Sequence, residues 1–115
     1  MGKSVIRQRQ PRIEIPALRS LARGRDCTVN IPGVCNGNPE TVVWAHSNHG
    51  KHGKAVGGKS HDHFGCFACS DCHDWLDNRA GFVDPEDRAA AFESAYIKTW
   101  NWLWENHFLT INRRG

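Results

Sequence analysis

Four cysteines, Cys27, Cys35, Cys69 and Cys72, constrain this chain more than any other feature. Cys69 and Cys72 are separated by two residues, a spacing that lets both thiolates converge on one ion as the chain turns into a helix. Cys27 and Cys35 are separated by seven and lie among Pro32, Gly33, Asn36, Gly37, Asn38 and Pro39, which is turn chemistry with little to pack except a metal. Tetrahedral zinc takes four such ligands, so the set predicts one structural zinc. Cys66, the fifth cysteine, could replace one of them. Strand alternation assigns it instead to packing with Phe64 and Ala68, where a free thiol behaves as a small apolar group.

The remaining composition fits a metal-stabilised domain. A chain of 115 residues with 39% apolar content suits one core, and the polar, glycine-rich first half needs a cross-link to supplement that core. An odd cysteine count and the lack of an apolar N-terminal signal point away from a secreted disulfide scaffold and predict a reduced, cytoplasmic protein. A redox role for Cys69 and Cys72 lacks the βαβ frame it would need. No apolar run approaches the roughly 18 to 20 residues that span a bilayer, so no membrane partner is expected. Lys3, Arg7, Arg9, Arg12, Arg19, Arg23 and Arg25 face only Glu14 before Asp26, which reads either as a solvated tail or as an electropositive arm for phosphate contact.

Residues 1–16, with Pro11 and Pro16, read as that arm, and 17–115 as a single domain. Ala17 to Arg23 suits a short helix stopped by Gly24. Thr41 to His46 reads as a strand ending in histidine. The loop from Ser47 to Gly65 carries five glycines, three lysines and four histidines, and a loop of that length is functional or disordered. Phe64 to Ala68 is a second strand, with Trp44 and Phe64 expected as hairpin neighbours. Ser70 is placed to cap a helix over Asp71 to Asn78. Asp84, Pro85, Glu86 and Asp87 start a long C-terminal helix over 85–105, burying Ala89, Phe92, Tyr96, Trp100 and Leu103. Trp100, Trp102 and Trp104 cannot share one face, and Trp102 is expected to be left for a partner.

Two histidines suit chemistry. His73 follows Cys72 directly, with Asp77 four residues on along one helix face, a pair able to chelate a divalent cation. His46 closes its strand, where an imidazole can take a proton from water near neutral pH. Such groups are common without function on surfaces, and the adjacent metal site is what singles them out.

The run Ala45-His46, the glycine-rich loop and Ala68-Cys69-Ser70-Asp71-Cys72-His73 resembles the HNH, or ββα-metal, endonuclease motif. Arg23-Gly24-Arg25-Asp26-Cys27 with Ile31-Pro32-Gly33-Val34-Cys35-Asn36-Gly37-Asn38-Pro39-Glu40-Thr41 is similar to a family of small phage and prophage nucleases (DUF1364), and the resemblance covers about residues 18–83. It implies an α+β, zinc-stabilised, treble-clef-type HNH-like domain with a long C-terminal helix, acting on DNA in a bacterial host cell. It further implies His46 as general base, His73 as ligand of a catalytic Mg²⁺ or Mn²⁺, and the four cysteines as structural zinc ligands. Asp77 occupies the place of a second helix ligand, and Asp62 is the nearest match for the middle asparagine. Many HNH enzymes carry an acid or histidine immediately before the base; this chain has Ala45, which leaves the metal shell incomplete, filled by water, or completed by a loop residue such as His49. The alternative readings are a non-catalytic zinc module that binds nucleic acid, and an interaction module built on an exposed tryptophan.

Overall fold

A computed structural model of the chain describes residues 14–47 and 61–110. The basic residues of 1–13 and the loop residues His49 and His52 lie outside them. Within the described residues the chain is a small α+β domain with a long C-terminal helix, in the order α1 (Pro16–Ala22), a 3-10 turn (Pro39–Thr41), β1 (Val43–His46), β2 (Gly65–Ala68), α2 (Ser70–Leu76) and α3 (Pro85–Glu105). No helix among them is long and apolar enough to cross a membrane.

α1 begins with Pro16, whose missing N–H has no intrahelical partner to lose. It ends before Arg23, and Gly24 then turns the chain at φ +90°. The helix thus takes Pro16 from the expected arm, and Glu14 and Ile15 are folded against the domain with it. The arginines that the sequence groups with the arm are also engaged: Arg19 reaches Glu14 and Asp62, Arg23 reaches Glu40, and Arg25 lies 5.2 Å from the Trp102 ring centroid.

β1 and β2 form an antiparallel pair, with Trp44 opposite Phe67 and His46 opposite Gly65. β1 starts two residues later than sequence suggests because the Asn38 side chain caps the 3-10 turn, accepting from Glu40 N–H at 3.0 Å. Trp44 meets Phe67 edge-on, with centroids 5.7 Å apart, rather than Phe64. The reason is steric. The Trp44 ring occupies the space above Gly65, where a Cβ would stand 2.3 Å from its Nε1, and the indole N–H donates to the Asp62 carbonyl at 2.6 Å.

The outer edge of β2 is closed by threonines. The Phe67 carbonyl accepts from both Thr28 N–H and Thr28 Oγ1 at 2.8 Å, and Phe67 N–H donates to Thr99 Oγ1 at 3.1 Å. Because the Thr28 hydroxyl proton is committed to Phe67, Thr99 is the donor in the 2.9 Å contact between the two hydroxyls. α3 is thereby pinned to β2 through a polar residue that is fully buried.

Asp84 caps α3 by accepting from Glu86 N–H at 2.8 Å. Its buried face is Phe92, Ala95, Thr99 and Leu103, while Ala89, Tyr96 and Trp100 lie half-buried on its flanks. Trp102 is not left for a partner. Beyond the helix the chain folds back, Phe108 N–H reaching the Leu103 carbonyl, and Trp102 is held between Phe67 and Phe108 at centroid distances of 5.6 and 5.5 Å. Trp104 is the exposed tryptophan.

Gly65→Ala is expected to cost about 1 to 3 kcal/mol, because the Trp44 ring cannot move without breaking its buried hydrogen bond. Urea unfolding of both proteins measures this; equal midpoints would refute the steric account.

Candidate functional site

The sulfurs of Cys27, Cys35, Cys69 and Cys72 all lie within 4.8 Å of one another. Cys35 and Cys69 Sγ are 3.9 Å apart, close to the roughly 3.8 Å that four Zn–S bonds of about 2.3 Å impose in a tetrahedron. Backbone amides point at this cluster: Asn30 N–H donates to Cys27 Sγ at 3.5 Å and Cys72 N–H to Cys69 Sγ at 3.4 Å. Asn30 reaches that position with φ +49°, a left-handed conformation asparagine tolerates. The second of these bonds also caps α2, so Cys69 takes the role that sequence assigns to Ser70, which is the first helical residue instead.

The electrostatics suit a cation. Burial opposes ionisation of Cys69, but amide bonds from Asn36 and Cys72 and the Cys72 and Cys35 thiols bring it down to about 7. Burial, with Cys27 nearby, pushes Cys72 up, and burial raises Cys35 as well. Cys69 thus ionises readily, whereas burial above all opposes ionisation of Cys72 and Cys35; a divalent ion at the centre reverses that opposition. Four converging thiols with amide donors therefore fit a metal ion such as zinc. Cys66 is fully buried outside the set, and burial raises its thiol pKa strongly. Among the described residues no other group of three or more metal-ligating side chains converges in this way.

At the other end of β1, His46 Nε2 stands 2.7 Å from Asp62 Oδ1. Asp62 is completely buried. Its Oδ2 accepts from Ile15 N–H and lies 3.3 Å from the Arg19 guanidinium. Burial opposes its charge, yet the bonds from His46 and Ile15 and the charge of Arg19 outweigh burial and hold the carboxyl below its usual range. Asp62 thus braces the hairpin twice, by its carboxylate to His46 and by its carbonyl to Trp44.

His73 and Asp77 meet on α2 and the turn that ends it, Nε2 to Oδ2 at 3.4 Å, with Arg79 3.8 Å from the same carboxylate oxygen. His73 directly follows Cys72, in a helix capped by Cys69. The sequence-derived site residues are therefore assembled as a cysteine cluster, a His46–Asp62 pair and a His73–Asp77 pair. Ala45, the position at which the resembled motif often carries a further ligand, is buried opposite Cys66. Sequence reasoning missed Arg19 and the Ile15 amide. In the sequence Arg19 groups with its basic neighbours, and no local pattern links it to a residue 43 positions away.

The family model described as "Putative nuclease YbcO" matches residues 16–107 of the chain. Two curated proteins bearing that description, from Escherichia coli strain K12 and Enterobacteria phage 82, are each 56% identical to it over 68 residues, which is 58% of this chain and 69% of theirs. A solved structure described as a putative bacteriophage protein from Escherichia coli str. K-12 substr. MG1655 aligns with a TM-score of 0.64 and 37% identity, over 79% of this chain and 100% of that one.

Because the folded pKa of Asp62 is depressed, its stabilising contribution is present above the unfolded value of about 3.9 and is lost as pH falls through the folded value. Asp62→Asn should accordingly flatten the loss of stability below about pH 4. Thermal midpoints from pH 3 to 7 check this, and parallel profiles for the two proteins would contradict it.

Proposed function

The chain belongs to the "Putative nuclease YbcO" family, and on that premise we propose that it is a metal-dependent DNA endonuclease of phage or prophage origin, HNH-like in its ββα arrangement and active in the host cytoplasm. The observation that carries this reading is His46, held at the end of β1 by a buried carboxylate, with α2 and its His73–Asp77 pair following the hairpin.

In this reading the Cys27, Cys35, Cys69 and Cys72 cluster holds a structural zinc. His46 takes the proton from a water molecule as that water attacks phosphorus, near neutral pH where imidazole suits the task. Asp62 keeps the imidazole in place. His73 and Asp77 would hold a Mg²⁺ or Mn²⁺ ion, which when bound would supply positive charge for the leaving 3′ oxygen. Arg79, at 3.8 Å from Asp77, must yield that carboxylate oxygen or share it.

The buried Ala45 and the two-residue composition of the second pair favour one other reading, a zinc module that binds nucleic acid without cutting it. The two separate cleanly. Plasmid cleavage with Mg²⁺ or Mn²⁺, abolished by chelator, supports the nuclease; salt-sensitive DNA binding with no nicking under any divalent ion supports the module.

His46→Ala should lower cleavage by about 10²- to 10⁴-fold, the usual span for a lost general base, while the fold and metal content persist. Undiminished cleavage would remove His46 from its role. Elemental analysis of the purified chain should find about one zinc per molecule, and Cys69→Ser should lose it and melt at a lower temperature, since zinc binding and folding are coupled. A folded, zinc-free wild type would sink the structural-zinc assignment.

A further inference from the structure

The grip on Asp62 comes from α1, an element with no histidine, cysteine or acid of its own. The residue just before the helix contributes its Ile15 N–H, and one turn later Arg19 brings its guanidinium to 3.3 Å from Oδ2. His46 Nε2 meets the other oxygen, Oδ1, at 2.7 Å. With Oδ2 fixed by α1, the carboxylate plane cannot rotate, and Oδ1 is presented to the imidazole in one orientation.

An ionised carboxylate can only accept hydrogen bonds, so Nε2 must carry the proton, and in the neutral ring the lone pair then lies on Nδ1. We propose that Arg19 is a positioning residue: together with the Ile15 amide it locks the Asp62 carboxylate, and through it fixes His46 as the Nε2–H tautomer, with Nδ1 as the basic nitrogen. This rests on the reading of His46 as proton acceptor, and it deepens that reading by naming the basic atom and the residue that controls it.

Two other roles for Arg19 are chemically sensible. It could be a stabilising ion pair only, although a buried ion pair is a weak route to stability compared with apolar packing. It could instead contact substrate phosphate, because Arg19 and Arg23 also line an open cleft of about 460 Å³ beside β1. A structural ion pair leaves the tautomer alone, and a phosphate contact changes KM and salt dependence rather than the imidazole.

The test reads the tautomer directly. In ¹⁵N-labelled full-length protein without DNA, above the pH at which His46 is charged, long-range ¹⁵N–¹H spectra should show a protonated Nε2 and an unprotonated Nδ1. Arg19→Gln should give a mixture of tautomers, and Arg19→Lys should largely restore the wild-type pattern. Arg19→Met, which keeps the apolar stem, serves where the Gln variant folds poorly. In cleavage assays Arg19→Gln should lower kcat on the order of tenfold with KM little changed, as expected for the loss of an orienting partner. A protonated Nδ1 in the wild type, or an unaltered tautomer in both uncharged variants, overturns the proposal. So does a raised KM with unchanged kcat and a salt slope reduced by about one, which would assign Arg19 to phosphate binding. If the wild type cuts no DNA, the nuclease reading fails by itself, and the spectra still decide whether Arg19 sets the His46 tautomer.

Discussion

The convergence of four sulfurs is the constraint on which the other elements depend. Cys27 follows α1 and immediately precedes Thr28, whose two hydrogen bonds close the edge of β2. Cys35 lies in the loop that leads to the 3-10 turn and β1. Cys69 ends β2 and caps α2, and Cys72 lies within the first turn of that helix. A metal at this point would therefore tie together the end of β2, the start of α2 and the loop joining α1 to the hairpin. The apolar core is small and includes all the cysteines except the half-buried Cys35. Chains of this size have little burial to spare, so the cross-link and the core act as one structure.

The two polar centres solve opposite electrostatic problems. At the sulfurs, ionisation is unevenly favoured: one thiolate is helped by amide donors while burial drives its neighbour Cys72 toward the neutral thiol. At Asp62, negative charge is buried but already compensated by His46, Ile15 and Arg19. The first centre fits an added ion, and the second is complete with the chain's own groups. That contrast explains how two buried sites so close in sequence can differ in kind, one suited to a scaffold metal and the other to holding an imidazole.

Local chemistry was legible in the sequence wherever one residue type dictates one geometry. The cysteine spacing gave the cluster, Asp84 and Pro85 gave the start of α3, and Gly24 gave the end of α1. What escaped were features that depend on a distant partner. Ser70 looked like a cap because serine commonly is one, but the neighbouring thiol takes the amide first. Trp102 looked surplus because helical periodicity ignores the chain after the helix, which folds back to place Phe108 against it. The Trp44 and Phe67 pairing required knowing that Gly65 leaves room for an indole. Asp62 was legible only as a position in a motif. Its burial and its hold on both His46 and Trp44 come from a tertiary arrangement that brings α1 across the hairpin.

Ala45 shows how packing limits the chemistry open to this hairpin. Successive strand residues point to opposite faces, so a ligand directly before His46 would project away from it, into the position where Ala45 packs opposite the buried Cys66. A carboxylate there would lose its hydration on burial. The hairpin thus offers one imidazole, oriented from the α1 side, with the apolar Ala45 before it. On the proposed reading, the protein's hold on a catalytic ion falls to His73 and Asp77, and the helix carrying His73 is set by Cys69 and Cys72. The sulfur cluster would then govern the metal half of the site and α1 the proton-accepting half. The hairpin is the common frame in which the two are aligned.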